Sequence, residues 1–295
     1  MNEIRSVQKT GGSTLTVSLP KDWAVRYGID KGSRIAITEN DDGSISIYPV
    51  EANRPTSGTS VIAIGHDIGM LPRRIIASYI MGFDTIILSS GRIETEQRSR
   101  IFEIIKDLMG LEVVREDSGS IELKQMLDPT GLPLPSAISR MSLLAESMIR
   151  DLTQALETGD EKLLSDLITR ESHVDRLYWF IVREINCGIK DHRFAKSIDM
   201  DVGLATCYLA VARNIERICD HIENVARRQI EIPKRACQKS LVGLSKLCLD
   251  IFSRSVRAFI KRDERAAADI LTEVDRHREE YAVSTFSEIS RSATK

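Results

Sequence analysis

Two pairs of carboxylates stand four residues apart in the second half of the chain. The pairs are Glu171 with Asp175 and Glu216 with Asp220, each written Glu-x-x-x-Asp. Residues four apart lie on the same side of an α-helix, so each pair presents two carboxylates in one direction. If the two helices are neighbours, four carboxylates converge, and carboxylate oxygens are ligands for Mg, Mn, Fe and Zn. The spacing therefore predicts a metal site shared between two helices.

The same carboxylates have an electrostatic alternative that needs no metal. Arg213 precedes Glu216 by three residues, and Arg217 precedes Asp220 by three. Helical pairs at this spacing form salt bridges worth about 0.3–0.5 kcal/mol each. Periodicity also places Glu216 and Asp220 toward solvent, which predicts a surface site rather than a buried cage. Spacing alone leaves the metal site and the salt bridges both open.

Five helices are expected to position these side chains, because the apolar pattern is helical from about residue 136 onward. The predicted helices are 136–157, 160–187, 199–230, 233–262 and 264–290. Ser136 and Asp160 are the expected N-caps, and Gly159 and Gly188 the expected helix ends.

The helical region repeats itself at an offset of 103 residues. "DEKLLSDLITRESHVDRLY" aligns without gaps on "DERAAADILTEVDRHREEY". In the second copy, the positions of the first carboxylate pair hold Val274 and Arg278. The first copy also has a third helix, 199–230, that the second lacks in this sequence, so only the first is expected to hold a metal. Chance similarity between two amphipathic helices is a competing explanation.

The first 128 residues are expected to form two smaller domains. Residues 1–50 alternate polar and apolar residues in two hairpins around the short helix "LPKDWAVRYG". A unit this small buries little core, so pairing with a second copy is expected. Residues 60–128 follow the order strand–helix–strand–helix–strand–strand, which predicts a helical layer on a small sheet. The segment "AIGHDIG" in this domain lacks the spacing of a phosphate-binding loop.

Composition is typical of a soluble globular protein and limits the function classes. The chain has 295 residues, of which 28% are charged and 42% apolar, with a net charge of −2. Any DNA contact must therefore be local. No apolar run approaches the ~18 residues that span a membrane, and the start lacks a signal peptide, so a cytoplasmic location without membrane insertion is expected. The sequence shows no nucleophile–base pair and no phosphate-binding loop. We therefore expect that the protein is not an enzyme, and we assign no catalytic residue.

Three segments resemble known families. "NIERICDHIENVAR" resembles the third helix of PhoU-like proteins, and "ITRESHVDRLY" resembles their second helix. "TGGSTLTVSLPKDWAVRYGIDKGSRIAI" resembles the SpoVT/AbrB swapped-hairpin domain. The order of the segments is similar to that of prokaryotic, chiefly archaeal, phosphate uptake regulators.

The resemblance implies a multidomain α+β protein of three parts. Residues 1–50 would form an AbrB-like swapped-hairpin β-barrel, and residues 60–128 a small α/β sandwich. Residues 136–295 would form a PhoU-like helical bundle with one complete and one incomplete three-helix repeat.

The resemblance also implies ligands and partners. PhoU-like proteins are associated with metal clusters on such motifs, which implicates Glu171, Asp175, Glu216 and Asp220, with Fe, Mn, Zn or Mg as the metal. AbrB-like domains form homodimers that often bind DNA. The implied DNA-binding residues are Arg5, Lys9, Lys21 and Arg26. Dimerisation alone is the alternative, because residues 1–50 hold as many acidic as basic side chains.

The expected function is negative regulation of phosphate transport and metabolism through metal-assisted protein binding. A phosphate transporter ATPase or a sensor kinase is the expected partner, with DNA as a further one. The alternative is an AbrB-type transcription regulator whose helical region senses metal or phosphate state. A metal-dependent phosphoesterase is a third class, without a sequence motif to support it.

Overall fold

A computed structural model describes residues 3–39, 43–50, 58–65, 68–231 and 238–292. The chain divides into two compact units, Met1–Ser57 and Gly58–Lys295. The start of the predicted fourth bundle helix at residue 233 lies outside the described residues. No helix within the described ranges is long and apolar enough to cross a membrane.

The first unit consists of two antiparallel hairpins and one short helix, in the predicted order. The elements are β1 (Gln8–Thr10), β2 (Thr14–Thr16), α1 (Lys21–Arg26), β3 (Ile35–Glu39) and β4 (Ile45–Pro49). Gly11 turns the first hairpin with a φ of +68°, a conformation that glycine adopts without a steric cost. The swapped-hairpin barrel stays a prediction, because it needs strands from a second copy.

Not one apolar side chain is buried among the described residues of the first unit. Seven large ones are more than half exposed: Ile4 (102%), Val7 (63%), Leu15 (69%), Val25 (73%), Ile37 (62%), Ile45 (63%) and Val50 (51%). Hairpins need a shared apolar face to be stable in water. The unit therefore lacks the core that would stabilise it alone.

The second unit begins with a four-stranded sheet that packs against two helices. The elements are β5 (Thr59–Ala63), α2 (Leu71–Ile80), β6 (Thr85–Ser89), α3 (Thr95–Lys106), β7 (Leu111–Glu116) and β8 (Ser120–Gln125). Their order along the chain is the predicted one. Across the sheet the strands lie in the order β5-β6-β8-β7, with β5 parallel to β6 and the other pairs antiparallel. Alternate strand residues are buried in this domain's own core, among them Ile62, Ile86, Leu88, Ile121 and Leu123.

The remainder of the second unit is helical and has a separate core. The helices are α4 (Leu134–Thr158), α5 (Glu161–Lys190), α6 (His192–Ser197), α7 (Ala205–Glu231), α8 (Gln238–Lys261) and α9 (Glu264–Ser292). The short helix α6 was not predicted. The mixed α+β architecture, with N-terminal strands, a small sheet and C-terminal helices, agrees with the sequence analysis.

Three of the predicted helix boundaries are wrong. The helix expected to begin at residue 199 begins at Ala205, after a separate short turn at Val202–Leu204. Ser136 lies within α4, whose N-cap is Pro133. Gly188 lies inside α5 instead of ending it, and a β-carbon there would come within 2.5 Å of the sulfur of Met200. The glycine is therefore required for close packing and does not end the helix.

The helix boundaries recur at the offset found in the sequence. Thr158 and Lys261 end α4 and α8, and Glu161 and Glu264 begin α5 and α9, each pair 103 residues apart. The loops also correspond. Asp160 caps α5 and Asp263 caps α9 in the same way, because each carboxylate accepts a hydrogen bond from a backbone amide in the first turn of the helix. We call α4 with α5 the first helical hairpin and α8 with α9 the second. The two helical hairpins pack through α4 and α8, where the buried hydroxyls of Thr153 and Ser245 lie 2.6 Å apart.

The sheet domain docks on α5 through the C-terminal end of α2. Helix ends leave carbonyl groups without intrahelical partners. Three side chains of α5 donate hydrogen bonds to backbone carbonyls at the C-terminal end of α2 and just beyond it. Arg183 donates to Tyr79 and Phe83, Asn186 donates to Ile80, and Lys190 donates to Met81. Arg183, whose side chain is only 4% exposed, also pairs with the carboxylate of Asp84 at 2.8 Å. These contacts hold the sheet domain against the helix that carries the first carboxylate pair.

Candidate metal site

Helices α5 and α7 bring three of the four predicted carboxylates together. One oxygen from each of Glu171, Asp175 and Asp220 lies within 4.8 Å of the other two. The first two are one turn apart on α5, and the third comes from α7, which packs along α5. We call these three residues the carboxylate cluster. Oxygen atoms this close can bind one cation jointly.

Apolar packing between the two helices sets the position of the carboxylate cluster. Val174 and Cys219, the neighbours of Asp175 and Asp220 in sequence, are fully buried between the helices. The carboxylates therefore leave each helix at the rim of this packed seam and are half-buried. The site is neither the exposed surface that the periodicity predicted nor a closed cage.

Glu216 occupies a more distant position. It lies one turn before Asp220 on α7, but its oxygens are outside the 4.8 Å group among the described residues. Burial and the negative charges of Asp220 and Asp175 raise its pKa. It therefore belongs to the same acidic region without being close enough to share a single ion with all three.

Burial and neighbouring negative charges raise the pKa values of the two α5 carboxylates, Glu171 and Asp175. Burial, followed by the charges of Asp175 and Glu223, raises the pKa of Glu171 to about 8. Burial is also the largest reason that the pKa of Asp175 rises to about 6, although a hydrogen bond with Glu171 acts in the opposite direction. Protons thus occupy, in part, the place that a cation could take.

Two further carboxylates near the cluster were missed from the sequence. Glu223 is three residues after Asp220 on α7, and its charge raises the pKa of both α5 carboxylates. Helical spacing could have indicated it. Asp107, directly after α3, also raises the pKa of Asp175. No local pattern indicates Asp107, because it is brought near by the docking of the sheet domain.

The predicted salt bridges on α7 do not form. Arg213 and Arg217 are exposed, and no ion pair joins either of them to Glu216 or Asp220 in the part of the chain that the structure describes. Their charges lower the pKa of Glu216 only as the weakest of its influences. On this helix, Arg227 instead forms an ion pair with Glu223, with 2.6 Å between the charged atoms. The cluster is therefore not neutralised by the arginines that the sequence suggested.

Cys219 is an unsuitable ligand despite its position beside the cluster. Burial, followed by the charge of Glu171, raises the pKa of its thiol to about 12. The thiolate that metals bind is therefore strongly disfavoured. His221, the next residue but one, is exposed and is absent from the group of close donor atoms.

The second hairpin replaces the carboxylate pair with an arginine network. Val274 and Arg278 occupy the equivalent positions on α9. Nearby, Arg254 of α8 pairs with Glu273 of α9 at 2.7 Å and with Asp250 at 2.9 Å. Glu273 and Asp250 are thus already paired with a cation, in contrast to the carboxylate cluster.

The predicted DNA-binding residues lie on the exposed surface of the first unit. Lys9 is in β1, and Lys21 and Arg26 begin and end α1. Arg5 forms an ion pair with Glu3 and donates to the hydroxyl of Ser18 at 2.9 Å. A DNA phosphate that bound Arg5 would therefore compete with the carboxylate of Glu3 for this side chain.

Two segments of the chain match models of known protein families. Residues 138–229 match the PhoU domain, and residues 8–55 match the antidote-toxin recognition MazE, a bacterial antitoxin. The first match runs from α4 into α7 and includes the whole carboxylate cluster. Searches of curated proteins and of solved structures gave no match. Both matched families are regulatory. The chain therefore combines a PhoU-like helical domain with an N-terminal domain similar to the MazE and AbrB group.

Proposed function

We propose that this protein regulates phosphate uptake, and that it does so through a metal ion bound by the carboxylate cluster. The observation that carries the proposal is the approach of Glu171, Asp175 and Asp220 to within 4.8 Å, inside the segment matched to the PhoU domain. The donor set consists of oxygens, which suits Mg, Mn, Fe or Zn.

The protein's own residues fit a cation at this place. Glu171 and Asp175 share a hydrogen bond, and their pKa values are raised first by burial and then by the negative charges around them. A bound ion would supply the positive charge that keeps Glu171 and Asp175 ionised. Three protein ligands also leave coordination positions open, and a partner's carboxylate or phosphate oxygen can occupy these.

Metal content separates the roles of the individual carboxylates. Purified protein is incubated with Mn, Fe, Zn or Mg salts, desalted and analysed for metal. We expect Asp175→Asn and Asp220→Asn each to lower the content at least about tenfold, as for other metal ligands. Glu216→Gln should retain more metal than either, since Glu216 lies outside the close group.

Asp166→Asn is the matched control for the metal measurement. Asp166 is also a carboxylate of α5, but it is 56% exposed and pairs with Arg170. Its removal should leave the metal content unchanged. Wild-type protein that stays metal-free, or Asp175→Asn protein that loads normally, would overturn the metal site.

The regulatory role requires a protein partner that responds to the metal. We infer that the partner is a phosphate transporter ATPase or a sensor kinase, as the PhoU match suggests. Binding of each purified candidate is measured with loaded wild type, with loaded Asp166→Asn and with Asp220→Asn. Binding that is lost only in Asp220→Asn supports the proposal, and equal binding by all three contradicts a role for the metal. In cells, Asp220→Asn should raise phosphate uptake if the regulation is negative.

DNA binding is a second candidate function, favoured by the match of residues 8–55. Affinity would come chiefly from neutralised phosphates, so it should fall as salt rises from ~50 to ~200 mM. Replacing Arg5, Lys9 and Arg26 by Gln should weaken binding and flatten this dependence. Lys124→Gln, on the exposed side of β8, is the control. Binding that survives the triple change would place the site elsewhere, and no binding at ~50 mM salt leaves dimerisation as the unit's role.

A further inference from the structure

The four-stranded sheet has two edge strands, β5 and β7, and the described residues protect only β7 against pairing. On β7, a register shift between Val113 and Arg115 interrupts the ladder, and Glu112 and Glu116 add charge. On β5, the sequence TSVIA contains no charge and no proline, and its register with β6 is regular. Proteins block sheet edges with charges, proline or bulges because an open edge pairs with another strand. β5 has none of these protections.

Alternate residues of β5 direct their backbone groups away from the sheet. The carbonyl of Gly58 accepts a hydrogen bond from the amide of Thr85, on the β6 side. At the other end, the amide of Ile64 donates to the carbonyl of Ser89. A strand bonds one neighbour through every second residue, so the residues between them face the open side. These outward-facing residues are Thr59, Val61 and Ala63.

The middle of this open edge is accessible. The side chain of Val61 is 65% exposed, and its backbone groups have no partner among the described residues. Only the carbonyl of Ala63 is engaged, by the guanidinium of Arg74 at 2.7 Å. Thr59 and Ala63 are exposed as well. The edge therefore offers hydrogen-bonding groups at its centre and at its first residue.

We propose that β5 pairs antiparallel with β5 of a second copy of this chain, which joins the two four-stranded sheets into one. An uncharged strand can approach an identical strand without repulsion. A two-fold axis at Val61 sets the two Val61 residues opposite each other and Thr59 opposite Ala63, so outward N–H groups meet outward carbonyls. Each Arg74 side chain then lies near Ala63 of its own copy. The two Ala63 residues are about 13 Å apart along the paired strands, so the two guanidinium charges are too far apart for strong repulsion.

A second copy is the expected occupant because the first unit would bring it close. β4 ends at Pro49 and β5 begins at Thr59, and a chain of this length spans at most about 36 Å. A dimer formed by the first unit would therefore hold two β5 strands at a high effective concentration. To this extent the inference rests on the proposed dimerisation of residues 1–50.

Disulfide formation in the full-length protein tests the pairing and its register. Cys207, Cys237 and Cys248 are first replaced by Ser, and Val61→Cys is then oxidised under mild conditions. In an antiparallel pair, two opposite residues that donate backbone hydrogen bonds to each other have Cα atoms about 5.5 Å apart. A disulfide can span this distance. We expect efficient cross-linking of Val61→Cys. A mixture of Thr59→Cys and Ala63→Cys proteins should cross-link more than either protein alone.

Val114→Cys is the matched control, since Val114 is also an exposed valine on an edge strand, 45% exposed on β7. It should cross-link at least about tenfold less, because charge and the register shift block that edge. Equal cross-linking of the two variants would show random collision and overturn the proposal. Val61→Lys should abolish cross-linking between Thr59→Cys and Ala63→Cys, whereas unchanged cross-linking would also overturn it.

Mass in solution, measured by light scattering, separates this inference from the dimerisation of the first unit. A dimer whose Val61→Cys form does not cross-link overturns β5 pairing and leaves the first-unit dimer standing. If Val61→Cys cross-links and Val61→Lys is monomeric, β5 pairing stands and the first unit is not sufficient for dimerisation. A monomer at all concentrations without cross-linking overturns both.

Discussion

At the residue scale, the carboxylate cluster is unusual because its members repel one another and, within the described parts of the chain, no ion pair joins them to a cationic side chain. Glu171 and Asp175 carry pKa values of about 8 and 6, both above the ordinary range for carboxyl groups. The folded protein therefore binds protons that the unfolded chain releases at the same pH. Metal binding must expel these protons, so metal affinity should fall as the pH is lowered from 8 toward 6.

The same pKa shifts predict how the stability of the metal-free protein depends on pH. A raised folded-state pKa gives stability that is present below the unfolded value, near pH 4, and is lost as the pH rises through 6 and 8. Because water screens half-buried groups, we expect a loss of roughly 1–2 kcal/mol between pH 5 and 8.5. Urea unfolding in the presence of a chelator measures it.

Glu171→Gln is the variant that should remove most of this pH dependence, while Asp166→Asn should keep it. The comparison with wild type at each pH cancels the contribution of other titrating groups. If Glu171→Gln and wild type lose stability in parallel, or if wild type gains stability as the pH rises, the cluster does not repel in the way described.

At the scale of elements, the two helical hairpins differ at one corresponding loop position. Gly159 ends α4 with a φ of +73°, and Arg262 follows α8 with a φ of +53°. A side chain in this left-handed region costs about 1–2 kcal/mol, whereas glycine pays little. The first hairpin thus has the residue that the turn favours, and the second does not.

Arg262→Gly should therefore stabilise the protein by about 0.5–1 kcal/mol, the steric gain less the extra entropy of glycine in the unfolded chain. The exposed ion pair of Arg262 with Asp201, at 3.3 Å, contributes little. Arg262→Ala is the control, because it removes the ion pair but keeps a β-carbon. It should give no gain in thermal or urea unfolding. A gain of equal size in both variants would assign the effect to the ion pair.

At the scale of the whole molecule, the docking of the sheet domain on α5 depends on a buried arginine. Arg183→Met should cost about 2–4 kcal/mol, since it leaves the carbonyls of Tyr79 and Phe83 without donors in a buried place. Lys190→Met removes one bond from an exposed side chain and should cost less than about 1 kcal/mol. Urea unfolding compares them, and hydrogen exchange at the end of α2 should rise only in the first. Equal costs would contradict the importance of Arg183.

The first unit should dimerise through its exposed apolar side chains. Leu15→Lys should raise the dimer dissociation constant at least about tenfold, because a charge in an apolar interface is costly to bury. Leu143→Lys on α4 is the control, since Leu143 is 66% exposed and Leu15 is 69% exposed. Light scattering over a range of concentrations measures the mass. Dissociation that is the same in both variants would place the interface outside the first unit.

Local sequence patterns are sufficient to predict the order of the elements and much of the candidate site. Strand alternation and helical periodicity are local, so the order of hairpins, sheet strands and long helices follows from neighbouring residues. Asp160 as a helix cap and Gly159 as a helix end rest on equally local chemistry. The pairing of Glu171 with Asp175 likewise follows from the geometry of one helix turn.

The packing of distant segments determines which carboxylates meet and what surrounds them. Asp220 joins the cluster and Glu216 lies farther away because of the rotation of α7 against α5, which apolar packing sets. Asp107 comes near through a domain that docks on α5 by way of Arg183, more than seventy residues away in sequence. Gly188 stays inside its helix because Met200 packs on it. Each of these outcomes depends on contacts between distant segments, which no local pattern encodes.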